Sequence, residues 1–217
     1  MLPVAGQEKF TKNCPNCGAP VKFRFAQAVQ TVCEYCQSVL VRHDVNLEDV
    51  GKKAVPLVDS SPIHLATEGI VQNRPFVVVG RICYEYSAGR WNEWHLIFND
   101  GSSGWLSDAQ LDYAVSFLTP TNTQLPAYPN PGEVLTFNNV SYVITTVTKA
   151  QYVSVEGDLP FTTWDRELCL FADLRTHNRL FATIDYSENP PLVFTGVACK
   201  YDELKLKNVR NFEGWPQ

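Results

Sequence analysis

Phe76-Val77-Val78-Val79-Gly80-Arg81-Ile82-Cys83-Tyr84-Glu85-Tyr86, the turn Ser87-Ala88-Gly89-Arg90 and the return run Trp91-Asn92-Glu93-Trp94-His95-Leu96-Ile97-Phe98 decide the fold class. The first run is rich in β-branched and aromatic residues, which suit a pleated, half-buried surface. It alternates over eleven residues, the period of a strand with two different faces. Asn99-Asp100-Gly101-Ser102 follows the return run, and Asp-Gly is a favoured hairpin turn. Gly104-Trp105-Leu106 then opens a third strand and Tyr113–Phe117 a fourth. On the return strand Trp94, Leu96 and Phe98 share one face and Trp91, Glu93, His95 and Ile97 the other. One face is expected to be core. The other presents Trp91, Glu93 and His95, with Trp105 beside them, as a candidate binding patch. The alternative is that both faces are covered.

Downstream, Pro120, Pro126, Pro129 and Pro131 punctuate a stretch that reads as a link. A second hairpin series follows it. Val134–Phe137 and Val140–Val147 flank Asn138-Asn139, a pair suited to a type I′ turn. Tyr152–Glu156, Leu168–Leu174, Leu180–Tyr186 and Leu192–Gly196 read as further strands. The expected fold is mostly β: a small four-cysteine zinc ribbon, then a domain of two β-meander or small-barrel units. The expected boundaries are 1–44 for the ribbon, 45–64 for a connector and 65–212 for the β-rich domain. An internal duplication of 65–119 and 132–212 is one reading of the two series. Within the connector, Asn46 is expected to cap a short helical turn that Gly51 ends, and Ser60-Ser61-Pro62 reads as loop.

Upstream stand Cys14-Pro15-Asn16-Cys17 and Cys33-Glu34-Tyr35-Cys36, with fifteen residues between the pairs. This C-x2-C-x15-C-x2-C spacing reads as a four-thiolate site, so Cys14, Cys17, Cys33 and Cys36 are the expected ligands of a structural Zn2+. Redox C-x-x-C motifs are the alternative, but they sit at helix starts in a βαβ context that is missing here. Val21–Phe25 and Val39–Val41 are the expected ribbon strands, and Gly18 falls where a tight turn needs positive φ. A module this small has little core of its own, so metal supplies much of its folding energy.

The 217 residues carry a formal charge of −5, and the first 44 hold about +2 of it, leaving about −7 for the rest. An acidic main domain argues against a broad nucleic-acid surface. No run approaches the roughly 18 apolar residues of a membrane span. Met1–Gly6 lacks the pattern of a signal peptide, and paired thiol knuckles suit a reducing compartment. A cytoplasmic protein is therefore expected, with peripheral membrane association left open.

Gly80-Arg81, Trp91-Asn92-Glu93-Trp94, Asn99-Asp100-Gly101 and Gly104-Trp105-Leu106-Ser107 form a recognisable set. With them go Glu156-Gly157-Asp158-Leu159-Pro160-Phe161, Ala172-Asp173-Leu174 and Phe181–Tyr186. Over about residues 65–210 these resemble a bacterial domain-of-unknown-function family, number 4178, whose members often carry an N-terminal zinc ribbon. The resemblance implies a stress- or envelope-associated setting and carries over no catalytic residues.

The chain has no Gly-rich phosphate loop, G-x-S-x-G elbow or H-E-x-x-H helix, which disfavours common nucleotide enzymes, serine hydrolases and zincins. The leading expectation is a non-enzymatic binding or adaptor protein with a protein partner. One alternative is a ligand sensor or carboxylate-dependent enzyme drawing on Glu93, Glu156, Asp158 and Asp173 in a barrel mouth. Another is a nucleic-acid-associated protein acting through the ribbon, with Phe23, Phe25 and Tyr35 stacking bases. Cys83, Cys169 and Cys199 read as small apolar residues in strand runs.

Overall fold

The computed structural model describes residues 11–43, 46–54, 61–162 and 167–211. Met1–Gly6 and Ser60 lie outside them. The described chain is built from fifteen strands and one 3-10 turn at Asp202–Leu204.

The N-terminal module holds two small sheets. β1 (Thr11–Asn13) pairs with β2 (Pro20–Lys22), and β3 (Gln30–Val32), β4 (Ser38–His43) and β5 (Asn46–Lys53) form a second sheet. The expected helical turn at Asn46–Gly51 is therefore a strand. Asp49 Oδ1 accepts the Gly51 N–H at 2.9 Å, and Gly51 takes φ +71°. The Asn, Asp and Gly that resemble helix caps here shape an irregularity in a strand paired to β4, where the register shifts.

The remaining strands are β6 (Glu68–Val71), β7 (Arg74–Tyr86), β8 (Gly89–Phe98), β9 (Ser103–Ala109), β10 (Asp112–Leu118), β11 (Val134–Phe137), β12 (Val140–Gly157), β13 (Cys169–Arg175), β14 (Leu180–Asp185) and β15 (Leu192–Cys199). β6 to β10 run as one antiparallel meander and β11 to β15 as another. The two do not make separate barrels. β10 pairs with β15 and β7 pairs with β12, both antiparallel, so the second and fifth strands of each meander join their counterparts. These seams close β7, β8, β9, β10, β15, β14, β13 and β12 into one ring. Closure removes the exposed edges that two open meanders would present.

β12 makes the closure possible. Val143–Ala150 pairs with β13, and Gln151–Gly157 pairs with β7. Register shifts at Ile144/Thr146 and Tyr152/Ser154 interrupt the ladder, and such irregularities bend a strand. The stretch that reads as two strands in the sequence is thus one.

The wall has two unlike faces. Away from the barrel interior, Trp94, Leu96, Phe98 and Leu106 are fully buried with Ile63 from the segment before β6 and Leu204 from the 3-10 turn. The other meander has its own cluster, built on Phe137, Tyr142, Leu174 and Ile184. The expectation that Trp94, Leu96 and Phe98 form a core face holds.

Arg81 lies in that face, essentially fully buried. Its Nε donates to Asn92 Oδ1 at 2.9 Å, its guanidinium sits 4.7 Å from the Trp94 ring centre, and Nη1 is 3.4 Å from Glu156 Oε1. Beside them the Asp108 carboxylate accepts from the Ser61 hydroxyl at 2.5 Å and the Trp94 indole N–H at 3.3 Å. This network ties the segment at Ser61 to the barrel wall. Arg81→Ala leaves buried Asn92 and half-buried Glu156 without their donor and opens a space beside Trp94, so we expect a loss of about 3 kcal/mol of stability, measured by urea unfolding. A loss within about 0.5 kcal/mol, the range of an ordinary surface substitution, would contradict the role given to the network.

Candidate functional site

Two constructions bring chemistry-bearing side chains together: a four-cysteine cluster in the ribbon and a cavity inside the barrel.

The two knuckles are built alike. Gly18 N–H donates to the Cys14 carbonyl at 2.8 Å, and Gln37 N–H donates to the Cys33 carbonyl at 2.9 Å. The fourth residue after each leading cysteine takes positive φ, +74° at Gly18 and +61° at Gln37. Each turn thereby directs two sulfurs inward. All four Sγ atoms lie within 4.8 Å of one another, with Cys14–Cys36 at 3.7 Å and Cys17–Cys33 at 3.8 Å. A tetrahedron of thiolates about 2.3 Å from a central ion has edges of about 3.8 Å. The cluster therefore fits a tetrahedral metal ion, and the four expected ligands converge. Burial pushes the Cys14 thiol up to about 12, while donors from Ser38 pull Cys36 down to about 6. Asn16 Nδ2 donates to Ser38 Oγ at 2.7 Å and so braces one knuckle against the other.

The ribbon is joined closely to the barrel. Gln30 and Leu159 exchange backbone hydrogen bonds of 3.1 and 2.9 Å. Asp158, buried between the modules, accepts from Thr31 Oγ1 at 2.7 Å, from Phe25 N–H at 2.9 Å and from Arg24 N–H. Burial nevertheless raises its carboxyl to about 6, against these hydrogen bonds. Gly80 is required here, because a Cβ on it would overlap the Asp158 carbonyl oxygen. Val32 and Val39 of the ribbon pack with Ile82, Trp105 and Leu159, closing the barrel at that end.

The cavity occupies the barrel interior, with a volume of about 430 Å³. Alternate residues of the strands line it. β7 supplies Ile82, Tyr84 and Tyr86, β8 supplies Trp91 and Glu93, and β9 supplies Trp105, Ser107 and Ala109. From the second meander come Phe171, Asp173 and Arg175 on β13 and Phe181, Thr183 and Asp185 on β14. Trp91 stacks on Tyr84 at 5.0 Å, with Phe171 edge-on to both. Trp105 packs against Phe161, which also faces the cavity.

Glu93 stands among these rings. Its carboxylate accepts from Trp91 Nε1 at 3.1 Å and from Ser107 Oγ at 2.9 Å. Glu93 lines the cavity and is partly buried. Burial first, then the nearby charges of Asp173 and Asp185, push the Glu93 carboxyl up to about 8. Burial raises Asp173 and Asp185 too.

The sequence-predicted residues separate into groups. Trp91, Glu93 and Trp105 line the cavity. His95 shares a strand face with them but is fully buried behind Trp105, against Phe25 of the ribbon. Its Nδ1–H donates to the Asp158 carbonyl at 2.9 Å, and Nε2 accepts from the Ser103 hydroxyl at 2.8 Å. Burial lowers its basicity to about 4, which keeps the ring neutral. Glu156 pairs with Arg81, and Asp158 faces the ribbon. Glu93 and His95 share a strand face yet are not brought together in the cavity. Asp173 and Asp185 also line the cavity, both reading in the sequence as strand-end carboxylates, while Thr183 and Phe171 escape sequence reasoning. Alternation along β13 and β14 is the signal that places them on one face.

No helix among the described residues is long and apolar enough to cross a membrane. No curated protein matches the chain, and no solved structure matches it. The model of one family, described as a domain of unknown function (DUF4178), matches residues 65–199. That segment runs from the residues packed against the outer core to the end of the last barrel strand, and the chain belongs to this family.

Proposed function

We propose that this protein is a non-enzymatic binding protein whose barrel interior takes a small molecule and whose ribbon holds a structural zinc ion. The observation that carries the proposal is the cavity of about 430 Å³ inside a closed wall, lined by aromatic side chains with a few polar groups among them. Ligand pockets fall in a range of roughly 300–1,000 Å³ and have this mixed lining. Four thiolates leave no coordination position for a substrate, so the metal's part is to fold the ribbon. Reduced thiols suit a cytoplasmic protein.

The test uses the cavity's own tryptophans. Thr148 faces the cavity from β12, and Thr148→Phe fills part of it while keeping a good strand former. A small-molecule library is screened by the change in tryptophan emission. Ligands of the wild type are expected to bind Thr148→Phe at least about tenfold more weakly. Equal binding to both proteins would remove the interior as the site.

A second reading retains an adaptor role through the ribbon. It is favoured by Tyr35, 69% exposed in the second knuckle while Phe23 and Phe25 are buried. A photo-crosslinking side chain at position 35 is expected to trap a protein partner in living cells, lost when Cys33 is replaced. Absence of a crosslink would reject it. The formal charge of −5 and the burial of Phe23 and Phe25 disfavour nucleic acid.

A further inference from the structure

Four carboxylates line the cavity, Glu93, Asp112, Asp173 and Asp185, against the one guanidinium of Arg175. Arg175 stands 4.0 Å from Asp112 and lies over the Phe181 ring at 5.5 Å. The contact with Asp112 is long and exposed, and the guanidinium also acts on Asp173, so a single cation is shared among the four carboxylates. The acidic groups outnumber the basic one, and the inner three are Glu93, Asp173 and Asp185. These three come from β8, β13 and β14, yet they are close enough for Asp173 and Asp185 to act on Glu93.

Crowding three half-buried carboxylates round one space is costly unless something positive joins them. Beside them Tyr84, Trp91 and Phe171 form a mutually packed cluster with centroid separations of 5.0 to 5.7 Å. Ring faces attract a cation, and more strongly once it is desolvated. A hard metal ion would gain little from rings and needs converging oxygens. Among the described residues only the four cysteines converge closely enough to hold one. An anion would be repelled, and a neutral ligand would leave the carboxylates uncompensated.

We propose that the cavity binds a small organic ammonium ion, its charged head beside Glu93 and Asp173 and its carbon substituents against Trp91 and Phe171. This rests on the cavity being the binding site. The cation binds the ionised form of Glu93, so binding releases a proton wherever the empty site holds Glu93 protonated. Its neighbours in this linkage are Asp173, Asp185 and Tyr84, with Arg175 and Asp112 further out.

Choline and its uncharged isostere 3,3-dimethylbutan-1-ol differ in charge and little in shape, and choline's charge does not change with pH. Calorimetric titration of the full chain with each is the test. Choline is expected to bind at least about tenfold more tightly than the isostere at about pH 9. Its affinity should fall as the pH drops from about 8, with a proton taken up from solution when it leaves. Glu93→Gln should abolish that pH dependence. Asp173→Asn, a second variant whose fold is checked by thermal melting, should weaken choline and leave the isostere unchanged. If the isostere binds as tightly as choline, the cation class is wrong and the cavity reading survives. If neither ligand binds while library compounds occupy the interior, the ammonium proposal fails alone. If no compound distinguishes the wild type from Thr148→Phe, both fail.

Discussion

Cys33→Ser is expected to unfold the ribbon and to uncover the end of the barrel on which it sits. Cys33 is buried, its sulfur is 3.8 Å from that of Cys17, and its carbonyl and N–H hold the second knuckle. The ribbon strands β1, β2 and β3 have three residues each, too few to sustain two sheets by themselves. Structural zinc supplies apparent binding free energies of about 10–16 kcal/mol to modules of this kind. Losing one thiolate removes enough of that to unfold a module whose own core is slight. Val32 and Val39 would then leave Ile82 and Trp105, and Asp158 would lose Thr31 and Phe25 as donors. NMR of the labelled full chain should show collapse of the ribbon amides, retention of the dispersed barrel amides, and shifts near His95, Trp105 and Asp158 among the latter. Metal analysis should fall from one zinc per chain to none. A ribbon that stays folded without metal would contradict the role assigned to the four cysteines.

The second large effect concerns Glu93 and pH. Its carboxyl is raised to about 8 in the folded protein, against an ordinary value near 4.3 in an unfolded chain. Between these values the native state holds a proton that the unfolded state has released, so stability falls as pH rises. The contribution is fully present below about pH 4 and lost by the time pH passes about 8. Its full size is on the order of 5 kcal/mol. Glu93→Gln keeps an acceptor oxygen for Trp91 and Ser107 and cannot ionise. Relative to the wild type it should therefore become progressively more stable from about pH 5 to about pH 9. Urea unfolding at a series of pH values measures this. Parallel wild-type and variant curves would show that Glu93 ionises in the folded protein as it does in water. Asp158, raised to about 6, adds a similar slope that ends nearer pH 6 and is common to both proteins.

Much of the β-domain was legible because strand alternation is local. The runs at 76–86 and 91–98 and the turn at Asn138-Asn139, with φ +49° and +63°, match the strands and hairpin that form. The cysteine spacing was equally readable, since each knuckle closes within five residues. Long-range pairing was not. Nothing local in Gln151–Gly157 marks it for β7, and nothing local in Phe194–Cys199 marks it for β10. The proline-rich link therefore reads as a boundary between two units, although both contribute to one ring. Thr148-Lys149-Ala150-Gln151 interrupts the apolar alternation between Val140–Val147 and Tyr152–Glu156, so one strand reads as two.

The candidate site was half legible for the same reason. Trp91, Glu93 and Trp105 belong to one local hairpin series and fall on one face. Asp173 and Asp185 look like strand-end carboxylates until ring closure turns their faces toward Glu93. His95 shows the limit of alternation: it shares a face with Glu93, but the docked ribbon takes that part of the face away from the cavity.

Native mass spectrometry tests the central claim most directly. The intact protein is incubated with the small-molecule fraction of an extract from its own cells, alongside Thr148→Phe. A wild-type adduct of one small molecule per chain, absent or strongly reduced in Thr148→Phe, is the predicted result. No adduct on the wild type, or the same adduct on both proteins, would contradict a ligand site inside the barrel.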